Sequence, residues 1–293
     1  MKLSIITINR NNAEGLRKTM ESVFVQTCRD FEYIVVDGAS TDESVDVIRG
    51  SALQAEDLDF KWISEPDSGI YNAMNKGIEI AQGVRVVDAL NRSTLCEDKN
   101  KGNVGGYVLM LNSGDYLVDE HVVERILPEL YGTDIIQGNE LTINNDQISI
   151  HSGYGRSGIT FIDVMKNHFL HQASFCRCEL FNKYGYFDES YKINGDTVFY
   201  AKCLGFGNAT FKYVDQNIAY FDTEGISADP EGKWRKLRYE EDKRYMEMFS
   251  SRMQQLLTDE EKKIILYDKL HAHRWSWYLT MAIAHFVNLL HKS

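Results

Sequence analysis

Apolar residues fall in short blocks along the first third of the chain, and the spacing inside successive blocks alternates between two periods. Lys2–Ile8 is a short, mainly apolar run that reads as a buried strand. Leu16, Met20, Val23 and Phe24 then recur on one face of a helix spanning about 13–26, with Asn12 as its natural N-cap. The rhythm continues with a strand over Phe31–Val36, a helix over Glu43–Arg49 and a short strand over Phe60–Ile63. A helix over Ile70–Gln82 and a strand over Val108–Leu111 follow. Strands alternating with helices of these lengths predict a parallel sheet with helices on both faces, an α/β fold.

Each of these strands stops at a polar cluster. Thr7-Ile8-Asn9-Arg10 closes the first and Asp37-Gly38-Ala39-Ser40-Thr41-Asp42 the second. Asp67 sits just beyond the third, and Asn112-Ser113-Gly114-Asp115 closes the last. In an open parallel sheet ligands lie outside the carboxyl ends of the strands, so these clusters share one edge. A carboxylate such as Asp115, delivered by a stiff strand beside small Ser113 and Gly114, suits a divalent cation shared with substrate phosphates. Ordinary turn chemistry explains the same four residues taken alone; the common edge is what favours a ligand role for Asp37, Asp67 and Asp115. Asp42 reads as a helix cap. No Gly-x-Gly-x-x-Gly follows the first strand and no Walker-type Gly-Lys-Ser/Thr occurs, which weakens NAD-type and P-loop readings.

Composition narrows the partners. The formal net charge of -11 argues against a nucleic-acid backbone. The length of 293 residues allows two domains, or one large α/β domain with an extension. Five cysteines, an odd number without metal-like pairing, read as reduced thiols in a cytoplasmic protein. The first apolar run is too short for a signal peptide, and no uncharged apolar stretch reaches the ~18 residues of a spanning helix.

Ser4-Ile5-Ile6-Thr7-Ile8-Asn9-Arg10-Asn11, Val35-Val36-Asp37-Gly38-Ala39-Ser40-Thr41-Asp42 and the block Glu65–Gly77 look like the opening blocks of family 2 glycosyltransferases. Leu111-Asn112-Ser113-Gly114-Asp115 is similar to that family's Asp-x-Asp metal motif, with Ser113 where the first acid stands. The resemblance implies a GT-A fold, a Rossmann-like mixed sheet flanked by helices, with a nucleotide-diphosphate sugar donor (UDP-linked) and inversion at the anomeric carbon. By position, Thr7, Asn9, Asp37 and Asp67 would hold base and ribose, and Asp115 would hold Mn2+ or Mg2+. The substitution at Ser113 implies weaker metal affinity, or a metal held mainly by the diphosphate.

Downstream, Asp119–Leu130 reads as a helix, Asp134–Gly138 as a strand, and Leu141–Ile150 as a hairpin turning at Asn144-Asn145-Asp146. This half leaves the βαβ rhythm and is assigned to the acceptor side of the cleft. Phe169–Phe175 resembles a family block with a His-Gln pair, so that His171 and Gln172, with Ser113, would line the donor sugar or diphosphate. Asp196, just before the apolar helix Thr197–Leu204, reads either as its N-cap or, by resemblance, as the general base. Inverting transfer needs one carboxylate to take the acceptor proton. Phe221–Ser227 resembles the family's closing loop, with Glu224 in place of its first Gly. The resemblance thus covers about Met1–Ser227.

The expected organisation is a catalytic domain over 1–228 and a helical extension over 229–293. The domain is interrupted by an insertion at about 84–105, which resembles a solvated excursion. The extension reads as helices over Trp234–Phe249 and Asp259–His271, the latter behind a Thr258/Glu261 capping box. Its last stretch, 274–292, suits either packing, including against a second subunit, or peripheral contact with the inner face of a membrane. The acceptor implied is a glycan or lipid-linked glycan of bacterial surface polysaccharide. Two rivals stay open: a transferase-like scaffold that binds nucleotide sugar without turnover, and a nucleotidyltransferase. The second lacks the Gly-rich loop it would need at Asn9–Asn12.

Overall fold

Four parallel strands carry the edge described above: β1 (Lys2–Asn9), β2 (Glu32–Asp37), β3 (Asp59–Ser64) and, after two short strands, β6 (Gly106–Met110). The computed structural model describes residues 2–53, 55, 57–88, 90–96, 106–144, 147–153, 159–166, 169–223 and 232–256. Glu224, the hairpin turn at Asn145-Asp146, the 97–105 part of the insertion and everything from Leu257 onward lie outside them, including the segment at 274–292.

The helices α1 (Ala13–Phe24), α2 (Ser44–Ala52) and α3 (Ile70–Ala81) lie between the strands in sequence. Every residue of β2 is buried, as expected where helices cover both faces of a parallel sheet. One face of the core joins Leu3, Ile5, Tyr33 and Val35 from the strands to Leu16, Met20 and Val23 from α1. Asn12 caps α1 as expected, its Oδ1 accepting from the Gly15 N–H at 3.1 Å. Asp42 stands one residue before the cap position of α2, which Glu43 holds without a side-chain capping bond. The two Asp42 carboxylate oxygens accept from the Ala13 and Ser44 N–H groups, each at 3.0 Å.

The insertion begins as a two-stranded hairpin, β4 (Arg85–Val87) with β5 (Ser93–Leu95). It is anchored rather than wholly solvated. Arg85 Nε lies 2.8 Å from Glu79 of α3, and Ser93 donates to Glu65 at 2.7 Å.

Beyond the parallel half the sheet becomes mixed. β7 (Tyr116–Leu117), α4 (Val122–Ile126), β8 (Ile135–Asn144), β9 (Gln147–His151), α5 (Phe161–Lys166), β10 (Ser174–Arg177), α6 (Glu179–Tyr184), α7 (Gly195–Tyr200) and β11 (Phe211–Tyr220) follow in order. Among the described residues the strand order is β3-β2-β1-β6-β10-β8-β11-β7, with β9 paired to β8. β10 runs antiparallel to both β6 and β8. The helix expected over Asp119–Leu130 is shorter because Pro128 has no N–H to continue it; Leu127–Glu129 turns as a 3-10 helix instead.

α8 (Arg235–Leu256) begins in the compact unit Met1–Asp242. Of the second unit, Lys243–Ser293, residues 243–256 are described; there Tyr245 and Phe249 meet edge-to-face at 4.9 Å. Among the described residues no helix is long and apolar enough to cross a membrane. All five cysteines are free, and Cys176, Cys178 and Cys203 are buried.

Candidate active site

The strand edge opens into a cavity of about 560 Å³ lined by Asn9, Arg10, Asp67, Asn112, Ser113, Asp115, His171, Asp222 and Trp234, among others. That volume is within the usual range for small-molecule sites, roughly 300–1,000 Å³. A second cavity of about 190 Å³ is lined by Glu140, Gln172, Asn194, Asp196 and Arg238, and it too is bordered by His171 and Phe221. The two cavities therefore meet at His171 and Phe221.

Two residues expected to face a nucleotide lie inside the sheet instead. The Thr7 hydroxyl is fully buried, donating to the Leu111 carbonyl at 2.8 Å and accepting from Tyr33 at 3.0 Å. Asp37 is also fully buried. Its carboxylate accepts from Asn9 Nδ2 at 2.9 Å, from the Ser40 N–H and hydroxyl, and from Ser64 at 2.7 Å. A carboxylate so satisfied has little left for a ligand; what it does is fix Asn9 and the turn at Ser40. Asn9 and Asp67 do line the cavity. Asn9 Oδ1 is a buried acceptor with no partner. Asp67 accepts from the Gly69 N–H at 3.0 Å and lies 3.6 Å from the Arg10 guanidinium. Its carboxylate packs so closely on Gly38 that any side chain there would collide with it.

The turn after β6 is held from below by α1. The Thr19 hydroxyl donates to the Asp115 carbonyl at 2.7 Å and accepts from the Gly114 N–H at 3.0 Å. β11 pairs with β7, Tyr220 opposite Tyr116, and the two rings stack at 4.8 Å. This pairing brings Asp222 to the turn, where its N–H donates to Asp115 Oδ1 at 2.8 Å. Burial pushes the Asp115 carboxyl up to about 7; the His171 charge and the Asp222 N–H oppose the rise, and the Asp222 carboxylate adds to it. Two neighbouring carboxylates and the unpartnered buried Asn112 Oδ1 make an all-oxygen donor set suited to a hard divalent cation. Among the described residues no cluster of three or more acidic, His or Cys ligands forms a complete metal site. The set fits a cation that takes its remaining ligands from a substrate diphosphate.

Asp196 is the second residue of α7, not its cap. The cap position belongs to Asn194, which makes no side-chain capping bond. Asp196 Oδ2 accepts from His171 Nδ1 at 3.0 Å, and Oδ1 lies 3.1 Å from the Tyr71 hydroxyl, which is also 2.6 Å from the Ile193 carbonyl. In the neutral ring with Nδ1 donating, His171 Nε2 accepts from Asn112 Nδ2 at 3.1 Å. Burial works against charge on both partners, yet their mutual hydrogen bond and attraction hold Asp196 below the usual carboxylate range and His171 above the usual imidazole value. Gly195 is required by close approach: a side chain there would enter the Tyr71 ring.

Gln172 faces the second cavity and donates from Nε2 to Glu140, which is buried on β8. Burial pushes the Glu140 carboxyl up to about 7, the Asp115 charge adding and the His171 charge opposing. Glu189, in the segment before α7, is tied to α3 through Asn72 and Asn75, each at 3.0 Å. Glu140 and Asp222 are the residues that sequence reasoning missed. Glu140 fell between the expected strand and hairpin, and Asp222 lies two residues beyond a strand whose pattern is broken by Asp215-Gln216-Asn217.

Residues 4–87 match the sequence profile of Glycosyl transferase family 2. A PGL/p-HBAD biosynthesis glycosyltransferase of Mycobacterium tuberculosis is 27% identical over 229 residues, covering 76% of this chain and 77% of the relative. An uncharacterized glycosyltransferase of the same organism is 29% identical over 246 residues, 78% of each. Among solved structures, Staphylococcus aureus TarS 1–349 superposes with a TM-score of 0.56 at 17% identity, covering 76% of this chain. The chain spans 61% of the length of that structure, under two thirds. A mannosyltransferase from Pyrobaculum calidifontis superposes with a TM-score of 0.59 at 15% identity, covering 99% of this chain and 75% of the other. The two superpositions establish a shared GT-A-type fold.

Proposed function

We propose that the chain, whose residues 4–87 match the family profile, is a glycosyl transferase of family 2 that moves a sugar from a UDP-linked donor to a glycan hydroxyl with inversion. The observation that carries this reading is the meeting of the two cavities at His171, with Asp115 on one side and Asp196 on the other. The larger cavity has the size for a nucleotide sugar and sets polar side chains among apolar ones, Asn9 and Asp67 being its base and ribose contacts. S. aureus TarS has been solved with UDP-GlcNAc, and the Pyrobaculum mannosyltransferase with GDP-Man and Mn2+. Those precedents support a nucleotide-sugar donor and a divalent cation, Mn2+ or Mg2+. The acceptor proposed is a glycan, free or lipid-linked, of bacterial surface polysaccharide.

Asp115, with Asp222 beside it, would hold the cation against the diphosphate. When bound, it would neutralise charge building on the leaving group. The acceptor oxygen attacks the anomeric carbon from the second cavity, the bond to the diphosphate breaks with its electron pair, and the acceptor proton passes to Asp196. The Asp196 carboxylate keeps acceptor capacity beyond its bonds to His171, Tyr71 and the Thr197 N–H. A carboxylate held below its usual range is a weak base in the ground state. It takes the proton late, once bond formation has made the hydroxyl strongly acidic. Glu140, poised near neutrality, lies on the same wall.

Calorimetry with UDP, GDP and dTDP in the presence of Mn2+ should show selective UDP binding. UDP should then be released from UDP-glucose or UDP-GlcNAc when octyl glycosides are supplied as acceptors. Tight UDP binding with no release from any donor and acceptor would favour a scaffold that binds without turnover. The donor side has its own test in Gly38→Ala, whose methyl group would push the Asp67 carboxylate out of place. Losing one charge-assisted contact of ~1.5 kcal/mol predicts UDP affinity lower by about tenfold. The melting temperature should move little, since the displaced atoms are the end of a side chain. Unchanged UDP affinity would remove Asp67 from the donor site.

A further inference from the structure

The loop that presents Asp196 is held from outside by a residue that the transfer chemistry does not use. Glu241 lies on α8 and is 2% exposed. One oxygen of its carboxylate accepts from the Lys192 N–H at 2.6 Å, the other from the N–H groups of Ile193 and Asn194 at 3.0 and 2.9 Å. Next to it, Asp242 accepts from the Asn194 side chain at 2.7 Å. These three N–H groups precede α7, whose cap residue makes no side-chain capping bond. Without Glu241 they would be left as unsatisfied donors next to a buried helix, a costly arrangement. A carboxylate is the group that answers three converging donors, because such charge-assisted bonds are roughly twice as strong as neutral ones.

The opposite side of the loop is held by α3, through Glu189 to Asn72 and Asn75 and through Tyr71 to Ile193. The segment from Glu189 to Asp196 is thus clamped between α3 and the start of α8. We propose that Glu241 is a positioning residue for the transfer step: by fixing the backbone of Lys192–Asn194 it sets the Asp196 carboxylate against His171 and toward the second cavity. The proposal rests on the transferase reading above. It makes the start of the C-terminal helix part of the catalytic apparatus although Glu241 lines neither cavity.

The test is Glu241→Gln and Glu241→Ala in the full chain, with Glu240→Gln on the exposed side of the helix as control. Turnover is normalised to the number of UDP sites found by calorimetry, so that a smaller folded fraction is not mistaken for slower chemistry. Misplacing a reacting group by about 1 Å can cost on the order of a hundredfold. The expected result is kcat lower by about tenfold in the Gln variant and about a hundredfold in the Ala variant. The donor KM and UDP affinity should stay within about twofold of wild type, as the donor cavity is untouched, and Glu240→Gln should behave as wild type. Hydrogen exchange over 188–197, measured without substrate, should quicken in Glu241→Gln. If the Ala variant does not fold, the Gln variant decides on the same split. Undiminished kcat per UDP site, kcat and UDP affinity falling together, or unchanged exchange over 188–197 would each overturn the proposal alone. A wild-type chain that turns over no donor would overturn the transferase reading, and this proposal with it.

Discussion

Asp196→Asn is expected to keep its fold and its UDP affinity while transferring sugar at least about a hundredfold more slowly. The fold should survive because the amide can satisfy the site. Its oxygen can accept from His171 Nδ1, and its NH2 can face the Tyr71 hydroxyl, which still donates to the Ile193 carbonyl. No capping bond is at stake, since Asp196 is not the cap of α7. The melting temperature should therefore stay within a few degrees of wild type. The rate should fall because an amide cannot take a proton. Base catalysis is typically worth 10²–10⁴-fold, roughly 3–5 kcal/mol of barrier. A second reading comes from the pair itself. Removing the carboxylate removes the main influence that raises the His171 imidazole, so its titration, followed by NMR, should move down. Full turnover in a folded Asn variant would move the search for the base to Glu140, the other carboxyl on the second cavity.

What the residue pattern could reveal of this site follows from how local each signal is. The strands β1, β2, β3 and β6 end where the apolar runs end, so Asp67 and Asp115 could be placed at one edge from spacing alone. Asn12 was legible as a cap because capping is decided within three or four residues, whereas Asp42 bonds Ala13, far away in sequence. Thr7 and Asp37 sit at the same strand ends, yet they turn inward, because that depends on partners far away in sequence: Leu111 and Tyr33 for one, Asn9 and Ser64 for the other. β11 escaped notice because its register shifts twice, at Tyr213/Asn217 and Asn217/Ala219, which erases the two-residue period. With β11 unseen, nothing placed Asp222 beside Asp115. Glu241 sits in a helix whose exposed residues are mostly charged, and only the fold distinguishes one buried glutamate from its solvated neighbours.

Asp115→Asn should abolish the Mn2+-dependent part of UDP binding and should also flatten the pH dependence of stability. The folded-state carboxyl stands at about 7, against about 3.9 in an unfolded chain. Because the folded value is the higher one, the native state binds the proton more tightly. The stability this contributes is complete below about pH 3.9 and is lost as the pH rises through about 7. The rise corresponds to at most ~4 kcal/mol, and at roughly 2–4 °C per kcal/mol the metal-free protein should melt several degrees lower at pH 8 than at pH 5.5. Glu140 titrates in the same window and the same direction, so the Asn variant should lose part of this slope and not all of it. Mn2+ should restore the wild type at pH 8, because a cation favours the ionised carboxylate, and it should do nothing for the variant. In EDTA, wild type and variant should bind UDP alike, since the base and ribose contacts proposed for Asn9 and Asp67 do not involve Asp115. Equal Mn2+-dependent UDP affinity in the two proteins would take the cation away from Asp115. An identical melting slope in both would take away its raised proton affinity as well, leaving the turn after β6 as a structural device held by Thr19.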